Sequence, residues 1–169
     1  MKAEEIIKQL NLIPQTDEGG MFSRIYTSDR TFDPYGKRYA GTAIYYLLQG
    51  KELSSWHALK CDEIWAYHAG SPAIQLLLLS DGSCCERSIG SDLDAGEQPL
   101  SVIPAGTWQT TLLKDRSADS WGLFSTVCVP GFEYVDYRQG DPARLMELFP
   151  SAADKIRNFG LTVDFQRKG

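Results

Sequence analysis

Positive charge is in short supply along this chain. Lys and Arg together number 17 against 22 Asp and Glu, and the formal net charge is -5 at pH 7. The basic residues form no stripe, whereas a protein that binds nucleic acid electrostatically needs clustered Lys and Arg to neutralise phosphates. We therefore expect no nucleic-acid partner.

Long apolar runs are also absent from the sequence. The longest, such as residues 43–48 and 76–79, fall far short of the roughly 20 apolar residues that a membrane-spanning helix requires. Near the start, Glu4 and Glu5 stand where a secretory signal would be apolar. These absences predict a soluble cytoplasmic protein that has no membrane partner.

Cysteine and histidine are scarce as well. None of the 4 cysteines stands in a C-x-x-C spacing, so the sequence indicates neither a zinc site nor a disulfide framework, and a reducing compartment fits it best. The cysteines are Cys61, Cys84, Cys85 and Cys128. There are only 2 histidines, His57 and His68, which limits the imidazole ligands that a metal could find.

Short β-type segments are what the chain has in plenty. Hydrophobic residues make up 43% and aromatic residues 11%, which is enough for one sizeable core. Between residues 20 and 138, short apolar runs alternate with turns rich in Gly, Pro, Asp and Ser, and no long helical period occurs. We predict strands at Met21–Thr27, Gly41–Leu48, Ser54–Leu59, Ile64–His68, Ala73–Leu79, Cys84–Ile89, Leu100–Ile103, Trp108–Leu113, Trp121–Val129 and Glu133–Tyr137.

Helical signals are confined to the two ends. An amphipathic pattern covers about residues 3–11, and Asp141 followed by Pro142 is a good helix start for a helical region of about 142–158. A series of short strands between terminal helices is typical of a double-sheet jelly roll, which leaves a cavity between its sheets. We predict one all-β domain over residues 1–169, with the barrel over about 20–138.

Candidate chemistry is concentrated in residues 56–70, which read W-H-A-L-K-C-D-E-I-W-A-Y-H-A-G. Side chains alternate along a strand, so His57 and Leu59 should point the same way. By the same alternation Glu63 and Tyr67 should share a face with Trp65, while His68 should turn away from it unless the strand carries a bulge.

A second segment, residues 99–109, contains a Pro-x-Gly turn at Pro104 and Gly106 and ends at Gln109. A glutamine amide can accept or donate a hydrogen bond to a ligand, but it is a poor transition-metal ligand beside imidazole. This segment therefore suggests a polar binding position and not a metal ligand.

Together these segments resemble the RmlC-like cupin superfamily, and more closely its subfamily with WH, DEIW, YHAG, PAG-x-WQ and PGF segments. The matches are Glu18-Gly19-Gly20, Trp56-His57, Asp62-Glu63-Ile64-Trp65, Tyr67-His68-Ala69-Gly70, Asp92-Leu93, Ala95-Gly96-Glu97, Pro104-Ala105-Gly106, Trp108-Gln109 and Val129-Pro130-Gly131-Phe132. His57, Glu63 and Gly70 keep the spacing of the cupin metal motif, but Leu59 and Gln109 replace two of its histidines. The resemblance implies a double-stranded β-helix, a pocket inside the barrel, and a homodimer.

The first functional hypothesis is a metal-independent isomerase or epimerase acting on a small polar, sugar-like molecule, similar to the keto-sugar epimerases of the superfamily. His57 would be the base, with Glu63 or Asp62 orienting its other nitrogen, and Tyr67 would be the acid. The substrate would be bound by Trp65, Gln109 and Thr111. No cofactor is predicted on this hypothesis.

Two alternatives stay open at this point. One is a metal-dependent oxygenase or isomerase with a divalent transition metal on His57, Glu63 and Gln109, which would need His68 or a partner chain to supply another imidazole. The other is a homodimer that binds a ligand in an aromatic-rich pocket without turning it over.

Overall fold

The computed structural model describes residues 2–34 and 36–161 and is mostly β. The strands are β1 (Ile13–Pro14), β2 (Met21–Thr27), β3 (Thr31–Phe32), β4 (Arg38–Tyr39), β5 (Thr42–Gln49), β6 (Leu53–Ala58), β7 (Asp62–Gly70), β8 (Ala73–Leu78), β9 (Cys84–Ile89), β10 (Leu100–Ile103), β11 (Trp108–Leu113), β12 (Trp121–Val129) and β13 (Arg138–Gln139). The α-helices are α1 (Ala3–Gln9), α2 (Pro142–Leu148) and α3 (Ala153–Leu161), and short 3-10 turns lie at Tyr134–Asp136 and Pro150–Ala152.

Two antiparallel sheets face each other and form the jelly roll. The larger has 6 strands in the order β1-β2-β5-β12-β7-β10, and the smaller has 5 in the order β13-β6-β11-β8-β9. Strands that are adjacent in a sheet are mostly distant in sequence, so the barrel closes through long-range pairing. This arrangement confirms the predicted cupin jelly roll with short helices at the ends.

The core between the sheets is apolar at one end of the barrel. Its buried members are Tyr46, Leu48, Trp65, Ala73, Leu77, Ile89, Ile103, Leu113 and Phe124. The opposite end of the interior carries more polar side chains, including His57, Glu63 and Gln109, all of them buried. The polar end is therefore the part of the barrel in which a site can be built.

The helices cover outer faces of the sheets. Leu145 of α2 and Ile156 of α3 pack on Trp56, Leu76 and Leu78 of the smaller sheet. Asp141 caps α2 as predicted, because its carboxylate accepts a hydrogen bond of 3.1 Å from the backbone N–H of Ala143. No helix within residues 2–34 and 36–161 is long and apolar enough to cross a membrane.

Nine of the ten predicted strands are present, with ends within two residues of the prediction. The tenth, Glu133–Tyr137, is wrong, because this segment forms the 3-10 turn Tyr134–Asp136. The Asp136 carboxylate is buried and accepts hydrogen bonds of 2.7 and 2.9 Å from the Arg38 guanidinium. That ion pair bends the segment back toward β4 and prevents it from extending.

Candidate functional site

A cavity of about 180 Å³ opens between the two sheets at the polar end of the barrel. Its walls combine apolar and aromatic side chains with a few polar groups, as is usual for small-molecule sites. The apolar and aromatic members include Phe22, Ile44, Leu59, Phe132 and Tyr134, and the polar ones Gln15, Glu18, Arg24, Thr42, Glu63 and Thr126. Two carboxyl groups therefore line the same small space.

Glu63 lies near the start of β7 and is only 6% exposed. Its Oε2 accepts a hydrogen bond of 2.8 Å from Gln109 Nε2 on the facing sheet. Because a carboxylate only accepts hydrogen bonds, this bond fixes the orientation of the Gln109 amide and leaves its Oε1, which has no partner, as an acceptor. Two of the residues singled out in the sequence, Glu63 and Gln109, are thus in contact.

His57 is buried beside this pair, on β6, and is the cross-strand neighbour of Gln109. Its Nδ1 lies 2.7 Å from the backbone oxygen of Ser55. A carbonyl oxygen can only accept, so Nδ1 carries a proton, and Nε2, which has no partner, is an acceptor when the ring is neutral. The ring of Tyr137 stacks on the imidazole at 5.5 Å between centroids.

The expected orienting partner of His57 is different from the one observed. Asp62 does not perform this task, because its exposed carboxylate accepts a hydrogen bond of 2.8 Å from the backbone N–H of Ala105. Nor does Glu63, which is bonded to Gln109. Pairing of β11 with β6 shifts by one residue between Gln109 and Thr111, and this bulge at residues 55–56 is where the Ser55 carbonyl meets the imidazole.

Glu18 is the site residue that the sequence reasoning missed. It lines the cavity from the turn between β1 and β2, and its backbone oxygen accepts a hydrogen bond of 2.7 Å from Ser55 N. Burial raises the pKa of the Glu18 carboxyl above its ordinary value of 4.5, the positive charge of His57 acts to lower it, and the negative charges of Glu63 and Asp17 raise it further. Glu18, His57 and Glu63 therefore lie close enough for their charges to interact.

The sequence feature that could have identified Glu18 as a site residue is the pair of glycines that follows it, Gly19 and Gly20. Gly19 and Gly20 have φ angles of 95° and 74°, which favour glycine. A Cβ on Gly19 would lie 2.5 Å from the Leu53 oxygen, and one on Gly20 would lie 2.7 Å from the Leu47 oxygen. The two glycines let the turn lie directly on the barrel strands, which brings Glu18 to the cavity.

The remaining predicted site residues lie elsewhere in the barrel. Tyr67 donates a hydrogen bond of 2.7 Å to the Gly70 oxygen. It is four residues, or about 13 Å of strand, from Glu63. Thr111 is fully buried and accepts a hydrogen bond of 3.2 Å from Gln75 Nε2. Neither lines the cavity, and neither do His57 and Gln109, which are buried next to the lining residue Glu63.

Trp65 and His68 both lie on β7, but neither side chain lines the cavity. Trp65 faces the interior, as predicted, but its ring packs in the apolar core at 5.3 Å from Tyr46 and 5.6 Å from Phe124. His68 is exposed at a bulge in β7, where its Nε2 lies 2.9 Å from Ser125 Oγ. The second histidine of the chain is therefore outside the candidate site.

These residues do not fit a transition metal of the kind that cupin folds hold. Leu59 lines the cavity at the position of the second histidine ligand, and Gln109 donates its amide N–H to Glu63. Within residues 2–34 and 36–161, no three His, Cys, Asp or Glu side chains are grouped as a metal site requires.

Comparisons with known proteins agree with the architecture. The family model described as "Cupin superfamily (DUF985)" matches residues 4–140. A hypothetical protein from Leishmania major is 29% identical, with a TM-score of 0.84 over 94% of this chain and 98% of that one. A protein from Shewanella oneidensis is 28% identical, with a TM-score of 0.83 over 94% and 97%. No curated protein matches the chain.

The oxalate decarboxylase of Bacillus subtilis is a more distant structural neighbour. It is 15% identical, with a TM-score of 0.55 over 88% of this chain and 37% of that one. At this identity the likeness concerns the fold alone, and the residues of the cavity have to be interpreted by their own geometry.

Proposed function

Because this chain belongs to the Cupin_5 family (DUF985) of the cupin superfamily, we propose that it binds a small polar molecule in the cavity between its sheets and moves a proton on that molecule without a metal. The observation that carries the proposal is the state of His57. Its Nδ1–H is held by the Ser55 carbonyl at 2.7 Å, so Nε2 of the neutral ring is a base without a partner, buried beside the Glu63 and Gln109 pair at the cavity.

Glu18 takes the position of the acid that the sequence assigned to Tyr67. It lines the cavity, and its raised pKa lets it keep a proton at a higher pH than an ordinary glutamate does. It also lies close enough to His57 for the two charges to interact. A base and an acid whose surroundings differ in this way are typical of sites that transfer protons at neutral pH.

Glu63 holds the ligand, and Gln109 positions Glu63 from behind. Glu63 lines the cavity, and its hydrogen bond from Gln109 fixes both side chains. Leu59 and Phe132 supply apolar walls that exclude water from the reacting groups. Glu63 is thus a ligand-binding residue on this proposal and not a catalytic one.

The reaction that this arrangement serves is a hydroxy-carbonyl isomerisation. His57 Nε2 takes the proton from the carbon beside the carbonyl, while Glu18 gives its proton to the carbonyl oxygen, which leaves an enediol. In the second half Glu18 takes the proton of the other hydroxyl, and His57 returns its proton to the neighbouring carbon. Atoms and charges balance, and no oxidant or metal is consumed.

Exchange of hydrogen for deuterium tests the proposal. Wild-type protein is incubated in D₂O with dihydroxyacetone, fructose and glucosamine, and loss of the signal of the proton beside the carbonyl is followed by NMR. His57→Gln should lower the exchange rate about 100-fold or more, since a positioned base contributes that much. His68→Gln is the matched control, because it removes the other imidazole, which is exposed.

The outcomes are distinct. Exchange that depends on His57 and not on His68 supports the proposal. Exchange that is equal in wild type and His57→Gln removes His57 as the base. Binding of any of the three compounds without exchange would leave a ligand-binding protein that performs no proton transfer.

A further inference from the structure

We propose that the cavity selects an organic ammonium ion, whose positive charge lies against the carboxylate of Glu63. The inference rests on the proposed function in one respect, since it takes the same cavity as the binding site. It adds the chemical class of the ligand, which the proton transfer by itself leaves open.

The first observation is that the carboxylate lacks a cation of its own. Glu63 is only 6% exposed and accepts a single hydrogen bond, from the neutral amide of Gln109. The ion pairs found within residues 2–34 and 36–161 involve other carboxylates, and neither Glu63 nor Glu18 belongs to one. A buried carboxylate without a cation is costly, so a cationic ligand gains more here than a neutral one.

The second observation is the polarity of the neighbouring atoms. Gln109 Oε1 and His57 Nε2 are buried, each residue being 1% exposed, and neither atom has a hydrogen-bond partner. Gln109 donates to Glu63, and His57 is the cross-strand neighbour of Gln109, so the groups directly behind the carboxylate supply no ion-pair partner. The Glu63 carboxylate is therefore the acceptor that a ligand in the cavity meets, and an ammonium group donates to it with a full positive charge.

The third observation concerns the walls of the cavity. The rings of Phe22, Phe132 and Tyr134 line it, and aromatic faces attract a cation as well as the apolar body of an amine. Arg24 is the one cationic side chain among the described lining residues, and it is exposed. An anionic ligand would therefore meet a cation only at the rim, and it would meet two carboxyl groups inside the cavity.

The test uses three ligands of nearly equal shape, which are benzylamine, benzyl alcohol and benzoate. Binding to the full-length protein is measured at pH 7.5 by calorimetry and by the shift of the melting temperature. Benzylamine should bind saturably, and benzoate should not bind. Glu63→Gln should weaken benzylamine about tenfold or more, because the variant keeps the shape of the side chain and loses only its charge.

Glu147→Gln is the matched control, since it removes the same charge from an exposed position on α2. It should leave the affinity for benzylamine unchanged. An equal loss in Glu147→Gln would mean that the amine responds to net charge, and this would overturn the inference. So would binding of benzyl alcohol or benzoate as tight as that of benzylamine, or no binding by any of the three.

The inference and the proposed function fail separately. Binding of benzylamine that depends on Glu63, with no exchange in D₂O, would leave the ligand class standing and remove the proton transfer. Exchange on dihydroxyacetone that depends on His57, with no binding of benzylamine, would do the reverse.

Discussion

Glu18 and Glu63 present two carboxyl groups to one cavity, and the protein treats them differently. Glu63 accepts a hydrogen bond of 2.8 Å from the Gln109 amide. Glu18 is held in place through its backbone oxygen. Its pKa is raised, because burial and the nearby negative charge of Glu63 both disfavour the ionised carboxylate. A positive charge on His57 partly offsets this rise. One cavity therefore offers an acid, Glu18, and a hydrogen-bond acceptor, Glu63, and neither role depends on a metal.

Removal of the Glu18 charge should make the fold less sensitive to pH. A carboxyl whose pKa is raised in the folded state adds stability at low pH and loses it as pH rises through the folded-state pKa. Glu18→Gln, which cannot ionise, should therefore melt at a higher temperature than wild type at pH 8, and the difference should shrink toward pH 4.5, the ordinary value for glutamate. Melting curves over this range check it, and parallel curves would contradict it.

Residue alternation predicted much of the site. His57, Glu63 and Trp65 face the interior and His68 is exposed, because these directions follow from the local pleat. The partners of those residues did not follow from alternation. Ser55 meets His57 only because a bulge interrupts β6, and Glu18 arrives from a turn almost forty residues earlier, so both contacts are set by tertiary packing.

The turn between β1 and β2 is the element that delivers Glu18. Its backbone is fixed by hydrogen bonds of 2.9 Å from Gln15 N to the Gly20 oxygen and from Gly19 N to the Gln15 oxygen. The hydroxyl of Tyr46 donates a further bond of 2.6 Å to the Gly19 oxygen. A turn attached at this many points can hold a carboxyl group at the cavity without a long side-chain network.

Gly19→Ala should detach this turn. The new Cβ would lie 2.5 Å from the Leu53 oxygen at a φ of 95°, so the turn has to move away from β6. We expect a loss of stability of about 1–2 kcal/mol from the backbone angle alone and more from the overlap. Denaturant unfolding measures the loss, and binding of benzylamine reports whether the cavity is still formed.

Gly82→Ala separates the two effects. Gly82 has a φ of 85°, but a Cβ there would meet nothing within 4 Å. This variant should therefore show the cost of the backbone angle without the overlap, and it should leave the cavity intact. Equal losses in the two variants would mean that close packing of the turn contributes nothing.

Strand prediction succeeded where turn residues mark the ends, and it failed where a distant ion pair decides the conformation. The segment from Trp108 to Leu113 is bounded by Gly106 and by a polar loop, and its strand matches the prediction at both ends. Glu133–Tyr137 is likewise rich in aromatic and β-branched residues, yet Asp136 is held by Arg38, almost one hundred residues away in sequence. The composition of the segment alone cannot predict that contact.

At the scale of the whole molecule, the outer face of the larger sheet is apolar next to an exposed edge. Strand β10 is the last of this sheet, and Leu100 and Val102 on it are 52% and 45% exposed. Val102 pairs with Ile64 of β7, which pairs in turn with Val127 of β12, so the apolar row continues across three strands. An edge strand beside an apolar face is a surface that proteins usually cover by association.

The homodimer implied by the family resemblance is a prediction that this surface makes testable. Light scattering after size-exclusion chromatography should give twice the chain mass of 18.9 kDa. Val102→Glu should give the monomer, because a charge in the row of apolar side chains would have to be desolvated on association. Val135→Glu is the control, since Val135 is 73% exposed and lies on the 3-10 turn and not in the apolar row; this variant should stay dimeric. A dimer that survives Val102→Glu would place the interface elsewhere, and a wild-type protein that runs as a monomer would contradict the prediction.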